Sequence, residues 1–137
     1  MRMAVLIAAL LAAVACGASQ GTAGSTPETE LTITFWPNGR DEGDAKKWTL
    51  RCSPANGTLP RAATTCRHLL AMSKPFAPQR KNVVCTDIYG GPQQALIAGE
   101  YRGERIWTQI GMRDGCQVSR AKRLAFLVPG FSANPNS

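Results

Sequence analysis

Histidine is nearly absent. The 137-residue chain has one, His68. A two-histidine zinc site is therefore excluded, and any imidazole-based proton relay would have to run through His68 alone. No Ser/His/Asp or paired-carboxylate arrangement stands out, so the residues offer no enzyme. Acidic residues are also scarce, nine against sixteen Lys and Arg, for a formal net charge of +7. The cations are scattered, with no basic stripe interleaved with aromatics, so nucleic acid is not an expected partner. Long hydrophobic runs are missing too. The one apolar stretch, residues 4–15 (AVLIAALLAAVA), has twelve residues, whereas a bilayer-spanning helix needs roughly 20. What remains, 44% hydrophobic and 18% charged, is the balance of a globular protein, too apolar for full disorder.

The apolar stretch follows Arg2 and ends in small residues, the pattern of a secretory signal peptide over residues 1–15. Cys16 comes directly after Ala13-Val14-Ala15. Small residues before a cysteine at the end of a leader resemble a bacterial lipobox, in which Cys16 would become the lipidated N-terminus. Ala13 departs from that pattern, which usually has leucine there. The alternative is ordinary signal peptidase, whose small-x-small preference Ala13 and Ala15 satisfy. Either route exports the chain, to the extracellular space or to the outer face of the cell membrane, with lipidated Cys16 as the membrane contact. Setting Cys16 aside leaves Cys52, Cys66, Cys85 and Cys116, an even set in an export context. Residues 16–30 are rich in Gly, Ser and Thr and read as a flexible tether.

The folded domain is expected over residues 31–128, followed by a polar, frayed tail over 129–137. Four cysteines allow three pairings. Bridges of Cys52 to Cys66 and of Cys85 to Cys116 would each contribute on the order of 3 kcal/mol by restricting the unfolded chain. Leu31, Ile33 and Phe35 alternate with threonines, as do Trp48, Leu50 and Cys52 with polar residues, so both stretches read as half-buried strands. From Leu59 the apolar spacing turns helical through Cys66, Leu69 and Leu70, with Thr58 as N-cap and Pro60 in the first turn. Pro75 ends that helix. Its inward face puts Cys66 where it can reach back to Cys52, and leaves His68 on the surface. Residues 83–89 look extended until Gly90-Gly91-Pro92 bends the chain. Two further strands, 94–99 and 105–110, flank a turn at Arg102-Gly103, and the apolar run 124–128 reads as a last buried strand. The class is α+β: a five-stranded antiparallel sheet with one main and one short helix.

The cysteine frame carries a family likeness. Leu50-Arg51-Cys52-Ser53-Pro54, Gly57-Thr58-Leu59-Pro60 leading to Cys66, Cys85-Thr86-Asp87-Ile88-Tyr89, residues 99–105 (GEYRGER) and Asp114-Gly115-Cys116 together resemble the Streptomyces subtilisin inhibitor family over nearly the whole domain. That resemblance implies two disulfides paired first to second and third to fourth, here Cys52 with Cys66 and Cys85 with Cys116. It implies a homodimer, and inhibition of subtilisin-like serine proteases by a substrate-like loop after the third cysteine. Cys85, Thr86 and Asp87 would lie on the acyl side of the reactive bond, Ile88 and Tyr89 on the leaving side. Asp87 would enter the protease's primary specificity pocket, and the bond between Asp87 and Ile88 would be the one attacked. No catalytic residue, cofactor or metal is implied.

The physical demands on such a loop hold for any family. It must offer an extended segment that a protease edge can add as a strand, and be stiff enough to lose little entropy on docking. Two features depart from the inhibitors' usual pattern. Asp87 stands where Met or Lys is customary, and an unpaired carboxylate is costly to bury in subtilisin's mostly apolar pocket. Gly90-Gly91 stands where a bulkier residue is usual. The expected partner is accordingly a subtilisin-like or acidic-residue-preferring serine protease. The alternative reading is a non-inhibitory cell-surface binding or envelope lipoprotein module on the same scaffold.

Overall fold

A computed structural model describes residues 28–131. The expected leader, Cys16 and most of the tether lie outside these residues, as do residues 132–137. Four strands form one antiparallel sheet: β1 (Glu30–Trp36), β2 (Lys46–Arg51), β3 (Gln94–Tyr101) and β4 (Glu104–Ile110), in the order β2-β1-β3-β4. Two ten-residue helices complete the fold, α1 (Ala62–Ala71) between β2 and β3, and α2 (Gly115–Leu124) after β4.

The register explains which residues face inward. Directly opposed residues in an antiparallel pair share a face. Leu31 lies opposite Leu50, Ile33 opposite Ile97, Phe35 opposite Ala95, and Ala95 opposite Ile110. All seven are buried, and they form one core with Cys66 and Leu69 of α1 and with Ala121 and Leu124 of α2. The period-two alternation of β1 thus selects the core face, and the threonines between fall on the other. That outer face also carries Trp107, 68% exposed, opposite Ala98. The packed region extends past both expected limits of the domain. Thr29 is buried, and Phe131 packs on Phe35 with ring centroids 5.6 Å apart.

Three expectations are corrected. The sheet has four strands rather than five, because residues 124–128 are not extended. α2 runs to Leu124 and tightens into a 3-10 turn over Ala125–Leu127. The buried residues there are Ala121, Leu124, Leu127 and Val128, a helical spacing that a short apolar run conceals. The second helix is therefore as long as the first rather than a short piece. Thr58 does not cap α1. Its hydroxyl accepts from the Thr49 N–H at 2.9 Å while its own N–H donates to Thr49 Oγ1 at 3.2 Å. With that hydroxyl committed to β2, α1 starts only at Ala62, after Arg61 in the left-handed region (φ 56°).

Cys52, just past β2, is bonded to Cys66 on the buried side of α1, and Cys85 is bonded to Cys116 in the first turn of α2. The first bridge ties α1 to the sheet. The second ties the long connection between α1 and β3 to the start of α2.

Candidate functional site

Between α1 and β3 the chain runs from residue 83 to residue 93 without joining the sheet. A cystine and a few backbone hydrogen bonds fix it, and these define the site. The Cys85–Cys116 cystine holds the upstream end. Next to it, the Gly115 N–H donates to Thr86 O at 2.9 Å. Downstream, the Gly90 N–H donates to Met112 O at 2.7 Å. A Cβ on Gly90 would come within 3.2 Å of both Met112 Cβ and Val118 Cγ2, so the chain passes close to the core here because position 90 has no side chain.

Three residues stand between these anchors. Asp87 is exposed, Ile88 is 54% exposed and Tyr89 is 68% exposed. The Ile88 N–H donates to Thr86 O at 2.9 Å, closing a three-residue turn centred on Asp87. Asp87 therefore occupies the apex of that turn, in a segment that adopts neither strand nor helix. Val84, immediately upstream of the cystine, is 96% exposed. It stands outside the five residues expected to form the loop, and an apolar residue type gives no sign of such exposure.

The base of the site is the N-terminus of α2. Asp114 is its N-cap. Its carboxylate accepts from the Gln117 N–H at 2.9 Å and from Gln117 Nε2 at 3.0 Å. This cap orients the turn that holds Gly115 and Cys116 against the loop. Replacing Asp114 by Ala is expected to cost about 1 kcal/mol, read as a lower denaturant midpoint, with faster hydrogen exchange at the Gly115 amide. An unchanged Gly115 exchange rate would show that the cap does not support the loop.

Cys85, Asp114 and Cys116 bring ligand-type atoms within 4.8 Å of one another. Both sulfurs are spent in the cystine, so no thiolate is available to a metal. His68 is exposed and stacks on Phe126, ring centroids 4.1 Å apart. Among the described residues no helix is long and apolar enough to cross a membrane.

The described residues thus make a small antiparallel α+β domain with two disulfides, one of which clamps an exposed loop. A family model described as subtilisin inhibitor-like matches residues 25–111, and the chain belongs to that family. The match takes in all four strands and the exposed loop, and ends before α2. Comparison with curated proteins gave no match. Membership makes protease inhibition the general function and a protease the general partner, and its members are inhibitors rather than enzymes. Together with the two disulfides it fits an extracellular protein.

Proposed function

We propose that the chain inhibits a serine protease through residues Cys85, Thr86, Asp87, Ile88 and Tyr89, with the bond between Asp87 and Ile88 as the reactive bond. The observation that carries this reading is the placement of anchors. Thr86 O is held by the Gly115 amide on the acyl side, and Gly90 is held by Met112 on the leaving side. The nitrogen that would leave on scission is that of Ile88, and its N–H already donates to Thr86 O. After cleavage the new amine would stay tethered beside the acyl group, ready to re-form the bond. A loop held this way loses little freedom on docking and favours resealing over release. Asp87 at the apex makes an acidic-residue-preferring serine protease the favoured target.

The same reading has the chain exported by the leader at residues 1–15, with Cys16 as a lipid anchor. It includes a homodimer, for which the outer sheet face around Trp107 is the surface open to a second copy.

The test is titration of the purified chain against subtilisin-like and acid-preferring serine proteases, with mass spectrometry of the chain recovered from each mixture. Tight inhibition is expected for at least one acid-preferring enzyme, with slow scission confined to the bond between Asp87 and Ile88 and a lipid-modified Cys16 at the N-terminus. Rapid scission elsewhere, or inertness toward every enzyme, would reject the inhibitory reading. An unmodified N-terminus would reject the anchor alone.

A further inference from the structure

A groove of about 720 Å³ opens on the upstream side of the loop, where Val84, Cys85 and Thr86 form one wall. Four cations line it: Lys74, Arg80, Arg120 and Arg123. They come from three separate places, the turn after α1, the connection before the loop, and α2. Among the described residues no carboxylate lines the groove, and the ion pairs found are those of Arg51 with Glu28 and Glu30, outside it. Arg123 is held by a hydrogen bond to Pro75 O at 3.0 Å. Arg120 Nε is buried without a partner. Burial, reinforced by the neighbouring charge of Arg123, pushes the Arg120 guanidinium down from its ordinary value. A partly desolvated guanidinium beside a second cation, in a groove lined by two more and by no carboxylate, makes a surface that gains when an anion enters.

Resting on the reading of residues 85–89 as the protease-binding loop, we propose that this groove receives an acidic segment on the rim of the bound protease, flanking the acyl side of its substrate cleft. The position decides the occupant. The groove shares Cys85 and Thr86 with the loop, so a protease seated on the loop covers it, whereas a lipid surface filling it would crowd the loop. The footprint then has two signs: the exposed carboxylate of Asp87 at the apex and a cationic groove beside it. The partner it fits has a cationic primary pocket and an acidic neighbouring rim. Such a pattern speeds encounter with the matching enzyme and disfavours others by like-charge contact.

The experiment compares the disulfide-bonded parent chain with a Lys74→Glu, Arg80→Glu double variant, both substitutions lying at exposed positions. Each is titrated with a hexaglutamate peptide and with phosphatidylglycerol vesicles, and each is mixed by stopped flow with the acid-preferring protease that the parent inhibits. The parent is expected to bind the peptide, with affinity falling about tenfold in the double variant and falling again as salt is raised. Its association rate with the protease should drop by a similar factor in the variant. Vesicle binding that depends on Lys74 and Arg80, with no peptide binding, overturns the proposal in favour of lipid headgroups. Inhibition that proceeds at an unchanged rate in the variant overturns the groove's role while leaving the loop intact. Peptide binding without inhibition by either chain overturns the loop reading, and with it the protease as the source of the acidic segment.

Discussion

Replacing Asp87 by Met or by Lys is expected to strengthen inhibition of subtilisin at least tenfold, about 1.4 kcal/mol. The argument is one of desolvation. Asp87 is exposed at the bend closed by the hydrogen bond from the Ile88 N–H to Thr86 O, so its carboxylate is hydrated in the free chain. Subtilisin's mostly apolar primary pocket would strip that water without supplying a cation, and an unpaired buried carboxylate costs several kcal/mol. Methionine removes the penalty and adds apolar burial, while lysine can fold its methylenes against the pocket wall and keep its ammonium in solvent. The same substitutions are expected to weaken inhibition of an acid-preferring protease, whose pocket would lose its paired charge. Inhibition constants for parent and variants against both enzymes check the prediction. If all three chains are inert toward both, residues 85–89 are not an inhibitory loop, and the fold assignment stands without it.

Removing the clamp by the paired substitutions Cys85→Ser and Cys116→Ser is expected to cost about 3 to 4 kcal/mol of folding stability, the loop-closure value for cysteines 31 residues apart. It should also change the chain from inhibitor to substrate. With the cystine gone, the Gly115 hydrogen bond is what still ties Thr86 to α2, and the acyl side can drift away after scission before the bond reseals. The Cys52→Ser, Cys66→Ser pair is the control. Its cysteines lie 14 residues apart, so its loss should cost roughly 3 kcal/mol, yet it ties α1 to the sheet and does not touch the loop. Equilibrium unfolding and product analysis after incubation with the protease separate the two effects. Similar loss of stability with rapid scission in the first pair alone is the expected pattern. Equal resistance to scission in both pairs, below their unfolding temperatures, would show that the clamp does not govern the loop.

Much of the fold is legible in the residue pattern, for reasons that differ by element. Leu31, Ile33 and Phe35 alternate with threonines because one face of β1 packs and the other does not, and Arg102-Gly103 marks the β3–β4 turn because both residues adopt positive φ, 52° and 80°. The end of α2 is not legible in the same way. Five consecutive apolar residues fit a buried strand as well as a helix, and only when Ala121 is counted with Leu124, Leu127 and Val128 does the helical period appear. Asp114 and Gln117, three apart, are the signal that points to a helix start there. The role of Thr58 could not be read from local spacing, since its hydroxyl is used by a residue nine positions earlier. The same limit applies to the site. Gly90 is visible as a stop, but its anchor on Met112 O is a backbone contact between segments and leaves no trace in residue type. The groove is hidden for a related reason: Lys74, Arg80, Arg120 and Arg123 become neighbours only after α2 folds back beside the connection.

α2 begins at the cystine and ends in the core. Its first turn grips Thr86 and Cys85, while Ala121 and Leu124 lie with no exposure among the sheet's inner side chains. One continuous helix thus joins the anchor of the loop to the interior. Heat or solvent that loosens the interior would slacken the loop at the same moment. On the proposed inhibitory reading, such a molecule would withstand the protease while its interior is packed and be digested once it melts.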